Sequence, residues 1–110
     1  MSVRLTAEFW VRAYLARLRL ADIPAFVVAR GDATAGAVVV KLDTLDGNAR
    51  ALARGTAPTG ERVWTEIAAG PDSAVEEALV RQRRFDPDLW VIAVEDRQGR
   101  TLLDEPGLAD

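Results

Sequence analysis

The side chains available for chemistry in this chain are seventeen carboxylates, thirteen arginines, one lysine (Lys41), one tyrosine (Tyr14) and a few Ser and Thr hydroxyls; its 110 residues include no histidine and no cysteine. That inventory removes imidazole general bases, thiolate nucleophiles and nearly every zinc site. The strongest remaining catalytic pattern is acidic. Asp88, Glu95 and Asp96, followed by Arg97, resemble a fragment of a metal-dependent nuclease motif, in which two carboxylates hold a hard divalent cation beside a lysine. The spacing is short, and arginine stands where that motif needs a lysine able to release a proton. Asp86-Pro87-Asp88 reads more simply as a helix stop and turn. Asp43, Asp46 and Asn48 lack the spacing of a calcium loop, and the glycines are too scattered for a phosphate-binding fingerprint. Lys41, placed on the outward side of a strand, is no candidate for a desolvated nucleophile. No catalytic residue and no cofactor is assigned, and the reading leans away from an enzyme.

A second candidate chemistry is anion binding. Arg12 and Arg19 lie on the first helix, and Arg81, Arg83 and Arg84 close the second. Such a cluster could clamp phosphate or carboxylate. The macrodipole explains the second group equally well, since Asp72, Glu76 and Glu77 open that helix and the arginines end it. Glu77 and Arg81 also form a favourable i,i+4 pair. Anion binding requires the two helix surfaces to merge into one basic patch. The net charge of −3 disfavours a nucleic-acid binder. Residues 1–20 nevertheless carry Arg4, Arg12, Arg17 and Arg19 against Glu8, or +3, leaving −6 for the rest.

The third candidate is an interaction surface. From the N-cap Thr6 to about Ala21 the chain reads as a helix with two apolar strips. Val11, Tyr14, Leu15 and Leu18 form one, with Trp10 at its margin. Phe9, Ala13, Ala16 and Leu20 form the other. The first strip must cover the core. The second is either sandwiched within the domain or meets another subunit or partner. Membrane contact is disfavoured, because the core needs the helix's apolar residues, and no run approaches the ~18 apolar residues of a membrane span.

The elements that position these groups follow from periodicity and turn signals. Residues 25–30 read as a strand and 31–36 as a turn. Residues 37–44 form the returning strand, with Val38, Val40 and Leu42 inward and Val39, Lys41 and Asp43 outward. Residues 49–54 and 61–68 supply two more strands around Pro58-Thr59-Gly60. A helix runs from about 70–73 to Phe85. Residues 89–94 are apolar on both alternating sets, which suits a central strand covered on both faces. A short edge strand is expected at 101–103, and 105–110 should fray. The order α-β-β-β-β-α-β-β predicts one α+β domain over residues 1–110, with a mostly antiparallel sheet of four to six strands and two helices packed on it.

Two segments carry a family likeness. Arg30-Gly31-Asp32 through Ala35-Gly36-Ala37-Val38-Val39-Val40-Lys41-Leu42 is one. Phe85-Asp86-Pro87-Asp88-Leu89-Trp90-Val91-Ile92 through Val94-Glu95-Asp96-Arg97, with Gly99-Arg100, is the other. With Trp64 before the second helix, the chain resembles a small family of uncharacterised alphaproteobacterial proteins of about this length. The resemblance implies a bacterial, cytoplasmic protein and no known activity, so it transfers no catalytic residues. It draws attention to Asp86, Asp88, Glu95, Asp96 and Arg97, the densest polar part of the pattern. Taken together, the residues favour a small cytoplasmic domain that binds an unidentified protein or a second copy of itself. The alternatives are an arginine-based binder of nucleic acid or phosphate, and a carboxylate-metal hydrolase.

Overall fold

A computed structural model describes residues 5–108. Arg4 and residues 109–110, which enter the charge balance and the expected frayed tail, lie outside that range. Two helices and five strands follow the order α1 (Ala7–Leu20), β1 (Ala25–Ala29), β2 (Val38–Asp43), β3 (Asn48–Thr56), β4 (Arg62–Pro71), α2 (Asp72–Phe85) and β5 (Trp90–Glu95). The single sheet has the order β1-β5-β2-β3-β4. Three of its pairings are antiparallel, and β2 with β5 is parallel. The fold is α+β, as the alternation of elements predicts. No helix among the described residues is long and apolar enough to cross a membrane.

The two helices cover opposite faces of the sheet. Trp10, Val11, Tyr14 and Leu18 of α1 pack on Val38, Val40 and Leu42 of β2 and on Trp90, Ile92 and Val94 of β5. Val75 and Leu79 of α2 pack on Val39, Ala49, Ala51 and Val91. Alanines on that side of β3 leave room for the larger side chains of α2. β5 is therefore buried on both faces from Trp90 to Val94, which accounts for its unbroken apolar run.

The ends of α1 are closed locally. The Thr6 hydroxyl accepts from the Phe9 N–H at 3.2 Å, and the Thr34 and Ala33 carbonyls accept from the N–H groups of Ala7 and Glu8. At the other end, Ile23 N–H reaches the Leu18 carbonyl and Asp22 N–H reaches that of Arg19, the pattern of a Schellman stop. Asp22 takes the left-handed position at φ 58°, which a short polar side chain tolerates.

Three expectations change. Lys41 does not face outward, because α2 covers that side of β2; its side chain is only 8% accessible. Residues 101–103 form no strand. Leu102 sits at φ 61°, outside any extended conformation, and the Thr101 carbonyl accepts from the Tyr14 hydroxyl at 2.8 Å. Residues 105–108 are held rather than frayed. Leu108 is buried in the α1-side core, and Arg17 donates to the Pro106 carbonyl.

Candidate functional site

The second strip of α1 remains open. The buried positions of this helix all point to the sheet, and Phe9, Ala13, Ala16 and Leu20 fall on the side turned away from it at 100° per residue. Phe9 is 58% and Leu20 85% exposed, Ala16 is exposed and Ala13 half-buried. The strip is therefore not sandwiched among the described residues. Arg12 and Arg19 border it on one side and Arg17 on the other, all exposed. Arg12 shares the Glu8 carboxylate with Arg30, at 3.1 and 2.7 Å. The hydrogen bond from Arg30, with both positive charges, holds the Glu8 carboxyl below its ordinary range despite some desolvation.

The five arginines assigned to anion binding do not converge. Arg12 and Arg19 ride on α1, and Arg81, Arg83 and Arg84 on α2, across the sheet from it. Arg83 is occupied. Its guanidinium donates to the carbonyls of Leu89 (3.1 Å), Arg30 (3.2 Å) and Pro87 (2.9 Å), tying the last turn of α2 to the chain that follows. A cation in a final helical turn commonly serves such carbonyls, and that was the one available sign of this role. Arg81 and Arg84 are exposed.

The acidic set is also dispersed. Asp88 precedes β5, whereas Glu95 and Asp96 lie at its other end, so the strand holds them apart by roughly 20 Å at ~3.3 Å per residue. Among the described residues no group of three acidic side chains could hold a metal ion. Asp96 is engaged by Arg100, which donates its backbone N–H at 2.7 Å and its side chain at 3.0 and 3.1 Å. The side-chain bonds come first in keeping the Asp96 carboxyl below its usual range, with the backbone bond next. Asp86 accepts from the Asp88 N–H as an Asx turn. Arg97 is exposed.

What the conspicuous polar segments build is a clasp between two loops. Asp32 N–H donates to the Asp88 carbonyl at 2.9 Å, and the Trp90 indole N–H donates to the Asp32 carbonyl at 2.8 Å. The Asp32 carboxylate accepts from the N–H groups of Thr34 and Ala35. Arg30 lies 5.2 Å from the Trp90 ring centroid. A Cβ on Gly31 would overlap the Asp88 carbonyl oxygen and stand 2.6 Å from Trp90 Cδ1, so only glycine permits this approach. Arg30-Gly31-Asp32 is thus a structural turn.

One feature escaped sequence reasoning. Nζ of Lys41 is ion-paired with the carboxylates of Asp72, at 2.5 Å, and Glu76, both on the first turns of α2. Burial pulls the Lys41 pKa down, but the bonds and charges of the two carboxylates outweigh it, and the net shift is upward. This fixes a protonated ammonium and ties β2 to α2.

The arrangement defines a two-helix α+β domain with a closed polar clasp and no convergent catalytic constellation among the described residues. The chain belongs to the DUF1491 family of proteins of unknown function, whose profile matches residues 5–104. It is similar to a DUF1491 family protein from Caulobacter crescentus CB15 in its crystal structure (39% identity, TM-score 0.85, covering 94% of this chain and 98% of that one). The NMR structure of a DUF1491 family protein from the same organism gives 38% identity and TM-score 0.82, covering 96% and 97%. The solution structure of protein Atu0922 from A. tumefaciens gives 29% identity and TM-score 0.72, covering 84% and 86%. Both organisms fit the alphaproteobacterial origin that the resemblance implied. No curated protein matches the sequence.

Proposed function

We propose that the chain is a protein-interaction module of the bacterial cytoplasm, whose docking face is the outward strip of α1 and whose occupant is an amphipathic segment with acidic flanks. The observation that carries this reading is the exposure of Phe9 and Leu20, 58% and 85%, on a helix already anchored through its opposite side. Their exposure does nothing for the core, and an apolar strip on a surface helix is a recurring docking mode. The rim selects the partner. Arg12, Arg17 and Arg19 flank the strip, so apposing two copies strip to strip would bring arginines together, whereas an acidic segment would complement them. A nucleic-acid role is disfavoured by the separation of the two arginine groups and the net charge of −3.

The test is affinity capture by the tagged full chain from its native bacterium, with nuclease present, beside a Phe9→Ser/Leu20→Ser variant. A partner retained by the wild type, lost by the folded variant and released by moderate salt is the expected result. Identical captures by both proteins, or a wild type whose sole association in light scattering is with itself, would overturn it.

A further inference from the structure

Away from the outward strip, residues 99–104 cross beside β3 and β4 and leave an open cleft of about 700 Å³. That volume is within the ~300–1,000 Å³ range of small-molecule sites. Leu52, Leu102 and Leu103 give it apolar walls, Trp64 an aromatic one, and Arg62 and Arg100 two guanidiniums; Asp104 lies at the same cleft.

Several observations make it more than a surface hollow. The Trp64 indole N–H is buried and has no hydrogen-bond acceptor among the described residues. A buried donor left unmatched is uncommon in a native protein and calls for an acceptor. Arg62 forms no ion pair among the described residues, although Asp104 lines the same cleft. Arg100 is oriented by Asp96, yet its side chain stays 48% exposed. Arg54, opposite Trp64 in the β3–β4 register, stands 5.8 Å from the Trp64 ring and 5.2 Å from that of Trp10. Trp64 also packs at a tilt of 32° against Trp10, at 5.5 Å between centroids, in a surround where guanidinium outweighs carboxylate.

We infer that this cleft is a binding site for a small organic carboxylate with a flat aromatic body, the ring lying against Trp64 and the leucines and the carboxylate taken by Arg62 and Arg100. The planar guanidinium of Arg62 can match a carboxylate with two parallel hydrogen bonds, while Arg100, whose Nε and Nη2 already serve Asp96, adds its remaining N–H groups and its charge. Trp64 lines the same cleft, so one ligand would meet both an aromatic face and the guanidinium of Arg62. Neither neutral aromatics nor simple anions answer both halves of the site.

The probe is 1-naphthoate, titrated into the full chain by calorimetry, with 2-naphthol and acetate as the neutral and ring-free controls. Expected is saturable 1:1 binding of naphthoate, at least tenfold weaker binding of either control, and at least tenfold weakening in Arg62→Gln. Trp64→Leu removes the aromatic wall and should weaken naphthoate several-fold. Folding of each variant is checked by circular dichroism. Should one variant fail to fold, the other and the ligand series still decide. Absence of saturable naphthoate binding, equal binding of 2-naphthol, or an affinity untouched in both folded variants would overturn the proposal.

Discussion

The ion pairs of Lys41 predict an asymmetry that can be measured. The lysine side chain is 8% accessible, whereas those of Asp72 and Glu76 are 43% and 48% accessible. Replacing Lys41 with methionine leaves two half-exposed carboxylates in the opening turns of α2, where water and the helix dipole both accommodate negative charge. The stem volume is retained, so the loss should be that of a partly exposed pair, about 0–1 kcal/mol. Removing the carboxylates instead, as Asp72→Ala/Glu76→Ala, strands an ammonium under α2 with no partner. The analogous penalty is about 3–5 kcal/mol, a large share of a typical stability of about 5–15 kcal/mol. Urea denaturation followed by tryptophan fluorescence gives both values. The pH dependence adds a check on sign. Because the Lys41 pKa is raised above its ordinary 10.5 in the folded chain, its contribution is complete below the unfolded value and is lost as pH rises through the folded one. The difference between wild type and Lys41→Met should therefore stay constant from neutral pH to about pH 10 and shrink above it. A Lys41→Met cost equal to or larger than that of the double carboxylate variant would refute the argument, since it would mean that burial of the ammonium carries no penalty.

Two further outcomes follow from the clasp and from Asp96. Gly31→Ala should destabilise at the upper end of the ~1–3 kcal/mol seen for overpacking, because the new methyl meets the Asp88 backbone, while Gly55→Ala, with nothing within 4 Å, should be close to neutral in the same denaturation assay. Asp96 has a carboxyl held below its usual 3.8, so its contribution exists above that value and is lost as pH falls through the folded one. Asp96→Asn should accordingly be less stable than wild type at pH 7, and the gap between them should narrow as pH falls below about 3.8, as read from urea midpoints.

Much of the architecture could be read from local pattern. Thr6 as N-cap, the double apolar alternation of residues 89–94 and the turn at Asp86-Pro87-Asp88 each reflect interactions within a few residues, and each appears where expected. What was not legible depends on packing between distant segments. Val39 and Lys41 alternate with Val38, Val40 and Leu42, which on a one-sided sheet places them in solvent. Covering by α2 turns the same alternation into two buried faces. Residues 101–103 carry strand-forming side chains, yet Tyr14 and a left-handed Leu102 take their backbone elsewhere. The same limit applies to the sites. The exposure of Phe9 and Leu20 could be offered from the helical wheel, but that the two arginine groups occupy opposite faces, and that Arg62 and Arg100 share a cleft, comes from the topology alone.

β5 is the last strand along the chain and the second across the sheet, lying between β1 and β2. During synthesis β1 therefore emerges with no strand to bond, because its partner among the described residues, β5, follows about sixty residues later. α1 meanwhile lacks the half of its floor formed by Trp90, Ile92 and Val94. The β2–β3–β4 meander can form as it is made, but the sheet closes only when β5 slides into the gap left for it. Such long-range closure slows folding and leaves apolar edges open in the interval. A nascent chain stalled before Trp90 would thus expose the apolar side of α1 together with an unpaired β1, the kind of surface that holdase chaperones recognise.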